Sequence, residues 1–258
     1  MISYTVPPMN NPLFKYLLRL ADNSLILGQR LGEWCGHGPI LEEDIALTNI
    51  SLDLVGQSRL LYSYASEVEG KERTEDDLAF LRDVMNFYNA LLVEQPNGDY
   101  GKTIVRQFFF DAFHFYQFEA LKKSKDAQIA AIAEKSLKEI TYHLRHSSQW
   151  LIRLGDGTEE SHQKVQNAID ELWMFTGDLF EKNEADEILL TQGIAPDVSE
   201  IKSKWDSKIS EVLSEATLKI PENTYMLKGG INGNHTEHLG FILAEMQYLQ
   251  RAYPDAKW

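Results

Sequence analysis

Gln57, Asp111 and His143 are polar residues standing where helical periodicity places the buried seam of three separate helices. Facing seam positions of a four-helix bundle are where a di-iron carboxylate centre is built, from one carboxylate on each of two helices and a Glu-x-x-His pair on each of the other two. Here the two pairs read Leu54-x-x-Gln57 and Ile140-x-x-His143, and Leu25 holds the seam of the first helix. Most ligand positions are therefore apolar, as in a metal site that has been filled in. A buried carboxylate is costly unless paired. Asp111 is accordingly expected to be held by His143, Gln57 or both, since an imidazole and an amide can each donate to it. A shifted frame gives an alternative metal reading from Asp53, Asp111, Glu139 and His143. Glu139 stands one turn before His143 but lies off the apolar stripe beside Lys138, where it reads as a solvated charge.

Long helices must position these residues. Turn chemistry at Gly36-His-Gly-Pro39, Gln95-Pro-Asn-Gly-Asp99, Gly155-Asp-Gly157 and Gly229–Asn234 separates helices expected at 11–35, 41–69, 75–94, 101–123, 126–154, 159–182, 198–218 and 236–252. The second helix has the clearest period: Leu47, Ile50, Leu54, Gln57, Leu61, Tyr64 and Val68 alternate steps of three and four. Ile104, Phe108, Asp111, Phe115 and Phe118 repeat it on the fourth, and Ala133, Leu137, Ile140, Leu144, Leu151 and Leu154 form the stripe of the fifth. Leu18, Ala21, Leu25, Gly28 and Gly32 line the first, where the glycines permit close helix approach. No strand alternation or repeat of solenoid length is visible. The expected fold is all-α, a four-helix bundle core with additional helices.

The 258 residues, 43% hydrophobic, suffice for one large core, and no linker composition divides them, so one domain over 1–258 is expected. A formal charge of -14 without a clustered Lys/Arg face argues against a nucleic-acid partner. The single cysteine, Cys35, rules out an internal disulfide framework and fits a reducing compartment. The start, Met1–Pro8, lacks the features of a signal peptide, and no stretch reaches the roughly 18 consecutive apolar residues of a membrane span. A cytoplasmic protein without a membrane partner is the expectation.

Other motifs are weaker. His235-Thr-Glu-His238 is not the His-Glu-x-x-His of a metalloprotease. Asn234 or Thr236 reads instead as the cap of a helix carrying Glu237 in its first turn. Trp34, Trp150 and Trp173 read as core or interface mass, and neither a dinucleotide fingerprint nor a P-loop is present.

Arg30–Pro39, Asn49–Gln57, Leu91–Gly98, Tyr142–Arg145, His235–Gly240 and Ala244–Arg251 resemble the non-catalytic ferritin-like subunits of bacterial phenylacetyl-CoA epoxidases, over nearly the whole chain from about Leu17 to Trp258. The resemblance implies a ferritin-like fold and a place in a multicomponent mono-oxygenase of phenylacetate catabolism, in which a reductase supplies electrons to a di-iron catalytic subunit. That catalytic partner looks like a distant relative. Its ligand pattern falls on Leu25, Leu54, Gln57, Asp111, Ile140 and His143, so this chain is expected to be non-catalytic, to bind no cofactor and to support the catalytic partner. A contact with phenylacetyl-CoA is a further expectation. Asn86, Phe87, Tyr88 and Asn89 bring amides and aromatics together, and Glu187, Ile188 and Leu189 form an apolar step after the sixth helix. Ordinary packing accounts for both stretches equally well.

Overall fold

A computed structural model describes residues 11–254 and 256 of the chain. The Met1–Pro8 stretch and Trp258 lie outside them. Among the described residues all regular structure is helical. Four long helices carry the seam: α1 (Pro12–Gly32), α2 (Leu41–Glu69), α4 (Tyr100–Leu121) and α5 (Ala127–Gly155), with the short α3 (Glu75–Phe80) after α2. Each start is fixed locally. The Asn11 side chain accepts from the N–H groups of Leu13 and Phe14 with Pro12 in the first turn, while Asp99 and Asp126 cap α4 and α5 in the same way. Gly70, at φ 67°, ends α2 in the left-handed conformation.

Helix α1 packs along α2, α4 along α5, and α2 against α5. Gly28 sets the first of these approaches. A Cβ there would stand 3.2 Å from Val55 Cγ2 and 3.3 Å from the carbonyl of Ser51, whose own hydroxyl donates to the Gly28 carbonyl at 2.7 Å. The remaining helices clothe the bundle. α6 (Glu159–Leu172) and α8 (Val198–Glu215) lie on α4 and α5, whereas α7 (Glu184–Gln192) and α9 (Glu237–Met246) lie on α1, and α10 (Tyr248–Ala252) follows α9. Their buried apolar side chains join one core running from Phe14 to Leu243.

The expected helix at 75–94 is mostly not helical. It stops at Phe80, a short 3-10 turn covers Val84–Asn86, and residues 87–90 have no regular structure. The cause lies on α1 and beyond α6. Asp22 accepts the Tyr88 N–H at 2.8 Å, Asn23 Oδ1 accepts that of Ala90 at 2.8 Å, and Asp178 accepts that of Leu91 at 2.8 Å. Side chains take the donors that a helix would use, and Phe87, Leu92 and Val93 enter the core. Asp178 also accepts from Gly229 and Gly230, where a Cβ on Gly230 would collide with the Asn89 carbonyl and the Asp178 carboxylate.

Three further boundaries differ. The 159–182 helix becomes 3-10 after Leu172, the 236–252 helix divides at Gln247, and the 198–218 helix ends at Glu215. Helix α7 lies within the expected connection. Its signal is the capping box in which the Asn183 side chain accepts from Asp186 N–H and the Asp186 carboxylate accepts from Asn183 N–H. Gly193, at φ 73°, closes it.

Candidate functional site

The seam residues are buried as their spacing requires: Leu25 is 3% exposed, Leu54 and Ile140 0%, Gln57 3%, Asp111 0% and His143 1%. Their partners are not the expected ones. Asp111 accepts from Gln107 Nε2 on Oδ1 and from Ser147 Oγ on Oδ2, each at 2.7 Å. Gln107 lies one turn before Asp111 on α4, and Ser147 one turn beyond His143 on α5, so both carboxylate oxygens are occupied without Gln57 or His143. Gln57 reaches elsewhere. Its Nε2 donates to Ser24 Oγ at 3.1 Å and lies 2.7 Å from His114 Nε2, linking α1, α2 and α4. The His143 Nε2 meets Asp53 Oδ2 of α2 at 3.0 Å.

The electrostatics follow from this dryness. Burial raises the Asp111 carboxyl from 3.8 to about 6, against the opposing effects of the nearby His143 and the two hydrogen bonds. Burial, aided by His143, pushes His114 well below its ordinary range, so its ring is neutral. With Nε2 accepting from Gln57, the His114 proton sits on Nδ1, a buried atom without a partner among the described residues.

A di-iron centre does not fit this donor set. Apolar side chains occupy the Leu25, Leu54 and Ile140 positions, Gln57 turns an amide N–H₂ toward its neighbours, and both Asp111 oxygens already accept hydrogen bonds. The shifted frame comes together in part. Asp53 pairs with His143, and Glu139 is half-buried rather than solvated, its carboxyl raised by burial and by the charge of Asp53. Asp111 faces Gln107 and Ser147 instead. Among the described residues no group of three or more His, Cys, Asp or Glu side chains is arranged to hold a metal ion.

The two stretches considered for CoA contact divide between core and surface. Phe87, Asn89 and Leu189 are 0%, 0% and 1% exposed and belong to the interior. The Asn89 amide is spent on Glu94 Oε2 at 2.9 Å, and the Phe87 ring lies under the Arg82 guanidinium, 4.1 Å from its carbon. Asn86 is exposed, with its carbonyl accepting from Arg82 at 2.8 Å, and Glu187 is exposed and paired with Lys182 at 3.0 Å. Tyr88 and Ile188 do reach open space. Tyr88 lines a cavity of about 180 Å³ with Lys15, Tyr16, Arg19 and Asn232. Ile188 lines a neighbouring one of about 380 Å³ that shares Lys15, Asn183, Ala185 and Asn232 with it.

The His235–His238 segment is neither a metal motif nor a side-chain cap. Thr236 occupies the N-cap position of α9, but its hydroxyl donates to Glu94 Oε1 at 2.7 Å. His235 Nδ1 lies 2.9 Å from Glu94 Oε2 and its Nε2 2.8 Å from the Phe87 carbonyl. Both neighbours accept only, so both ring nitrogens must donate, and the ring is an imidazolium. Its pKa is raised accordingly: burial opposes the charge, but the hydrogen bond and charge of Glu94 outweigh it. This buried pair fastens α9 to the 87–94 segment.

Residues that periodicity did not single out thus complete the polar layer: Ser24, Gln107, His114 and Ser147. Gln107 and Ser147 stand four residues from Asp111 and His143, a relation that i,i+4 spacing carries.

A bundle of this kind, with an apolar-filled ligand seam, defines a ferritin-like helical protein. The family described as phenylacetic acid catabolic protein matches residues 5–258, and the chain belongs to it. A relative from Escherichia coli (strain K12), whose name makes it one of the subunits of 1,2-phenylacetyl-CoA epoxidase, is 53% identical over 248 residues, covering 96% of this chain and 100% of the relative. No helix among the described residues is long and apolar enough to cross a membrane.

Proposed function

We propose that this chain is the non-catalytic ferritin-like subunit of a multicomponent mono-oxygenase that epoxidises the ring of phenylacetyl-CoA in aerobic phenylacetate degradation. It supports a di-iron catalytic partner, fed by a reductase, and binds no metal itself. The observation that carries the reading is the seam, in which Leu25, Leu54 and Ile140 fill ligand positions and Asp111 is committed to Gln107 and Ser147. The name of the E. coli relative supplies the substrate class and the membership of a complex. An obligate support subunit buries on the order of 2,000 Å² or more against its partner.

Iron analysis after expression in iron-replete medium is expected to find no stoichiometric iron. The chain mixed with reductase, phenylacetyl-CoA and oxygen is expected to give no epoxide until the catalytic partner is added. Two irons per chain, or turnover by this chain alone, overturns the reading. The alternative, a ferritin-like metal-dependent oxygenase with a reduced or shifted site drawn from Asp53, Asp111, Glu139 and His143, has the Asp53–His143 contact alone in its favour. An iron content that is lost in Asp53→Asn would support it.

The cavities beside Tyr88 and Ile188 are this chain's candidate contact with the CoA thioester, since Lys15 lines both and suits a phosphate. In the reconstituted complex Lys15→Glu is expected to raise the KM for phenylacetyl-CoA about tenfold with kcat retained, the signature of lost uniform binding. An unchanged KM places the substrate wholly on the partner.

A further inference from the structure

Among the described residues three tyrosine hydroxyls donate to carboxylates: Tyr62 to Asp22 at 2.5 Å, Tyr64 to Asp126 at 2.7 Å and Tyr100 to Glu43 at 2.7 Å. Tyr100 differs from the other two in its neighbours. Its ring meets that of Trp34 edge to face at 6.1 Å between centroids, and that of Trp150 in the same way at 5.4 Å. One phenol thus stands between two indoles, with a carboxylate on its hydroxyl. The Tyr62 hydroxyl, by contrast, also accepts from Arg82, whose guanidinium pairs with the same Asp22.

The proton of Tyr100 has a prepared destination. Glu43 is 8% exposed, and its Oε2 accepts from both Tyr100 Oη and His146 Nε2, the latter at 2.8 Å. Burial and the adjacent carboxylate keep the hydroxyl protonated, its pKa well above the ordinary value. A phenol gives up an electron readily only when its proton leaves with it, because the radical cation is a very strong acid. Glu43 Oε2 lies within transfer distance of that proton. The two indoles are not equivalent. The Arg153 guanidinium lies over the Trp150 ring at 5.4 Å and opposes a second positive charge there, whereas Trp34 donates its Nε1–H to the neutral Thr103 hydroxyl at 3.1 Å.

We propose that Tyr100 is a redox-active tyrosine, oxidised through Trp34 with Glu43 as its proton acceptor. Trp34 first gives one electron to a strong one-electron oxidant and becomes an indole radical cation. Tyr100 then gives one electron to Trp34 and its phenolic proton to Glu43. The products are a neutral tyrosyl radical, a restored indole and a protonated Glu43. A one-electron reductant of the thiol or ascorbate class returns the electron, and Glu43 returns the proton. The chemistry of the site is independent of the functional reading above; that reading supplies the oxidant, from unproductive turnovers of an oxygen-activating partner.

Cys35 is the single cysteine, is exposed and follows Trp34 in sequence, so a ruthenium tris-bipyridyl label on it places a photochemical oxidant beside the entry point. A laser flash with a cobalt(III) ammine quencher converts the label to ruthenium(III). Transient absorption and freeze-quenched EPR of the labelled chain are expected to show an indole radical giving way to a neutral tyrosyl radical, more slowly in deuterated water. Tyr100→Phe, which keeps the ring and its packing, is expected to retain the indole radical and lose the tyrosyl one. Glu43→Gln is expected to slow tyrosyl formation at least about tenfold. Tyr225→Phe, at a tyrosine 77% exposed, is expected to behave as wild type does. Absence of a tyrosyl radical in the wild type, or its persistence in Tyr100→Phe, overturns the proposal. Wild-type kinetics in Glu43→Gln, or equal rates in light and deuterated water, overturn Glu43 as the proton acceptor. None of these measurements involves iron, phenylacetyl-CoA or a partner, so failure here leaves the proposed function standing, and failure of that function leaves this site standing.

Discussion

Replacing Arg82 by Met is expected to cost about 3–5 kcal/mol of folding stability, the cost of stranding a buried carboxylate. Asp22 is fully buried on α1, and among the described residues Arg82 is the cation that hydrogen-bonds it. Its oxygens accept from both Arg82 NH groups, from Tyr62 Oη at 2.5 Å and from Tyr88 N–H at 2.8 Å. Arg82 also ties the carbonyls of Leu78 and Asn86 and stacks on Phe87, so it anchors the segment between α3 and α4 onto α1. Arg82→Lys is expected to restore little, because one ammonium cannot reproduce the planar fork. The double variant Asp22→Asn/Arg82→Met is expected to lose less than the sum of the single losses, since the stranded charge is gone. Urea denaturation of the wild type and these variants, with Asp22→Asn alone, measures this. A loss below about 1 kcal/mol for Arg82→Met would show the pair to be no more than a surface ion pair in energy.

That segment also shows where sequence stops being legible. The hydrophobic spacing through 75–94 fits a helix, yet the donors that would make one are captured by Asp22, Asn23 and Asp178, residues remote in the chain. Periodicity reports which side of a helix is buried and is silent about such captures. It succeeded on α2 and α5, where apolar residues in steps of three and four mark the buried seam and the polar seam positions stand out among them: Gln57 and His143 are buried as expected. It succeeded less well on α4, which is buried on nearly every side. There the stripe picked Asp111 but could not pick His114 or Gln107, because a helix without an exposed face has no contrast to read. The pairing of Asp111 with Ser147 depends on rotamers and on the offset between α4 and α5, neither of which is written in spacing. The apolar filling at Leu25, Leu54 and Ile140 needed only side-chain type and period, and it is the part of the site that sequence expressed fully.

Asp111→Asn is expected to remove a pH dependence of about 3 kcal/mol from folding. The folded-state pKa, about 6, lies roughly two units above the ordinary 3.8, and each unit is worth about 1.4 kcal/mol. Because the folded value is raised, the native protein binds this proton more tightly than the unfolded chain does. The contribution is fully present below about pH 4 and is lost as pH rises through about 6, leaving an ionised carboxylate in a dry seam at neutral pH. Asparagine cannot ionise, and its geometry suits the site. Its Oδ1 can accept from Ser147, and its N–H₂ can donate to Gln107 Oε1, a buried oxygen that has no partner among the described residues, once the Gln107 amide turns over. The stability of Asp111→Asn relative to wild type should therefore rise by about 2.4 kcal/mol between pH 4 and pH 7, most of the full effect. His235, whose pKa is raised, loses its own contribution only as pH rises above its ordinary 6.5, and it does so equally in both proteins. Chemical denaturation of the two proteins at intervals of pH tests this directly. A constant difference across the range would mean that Asp111 is ionised throughout it, and a falling one that a cation holds the carboxylate in its charged form.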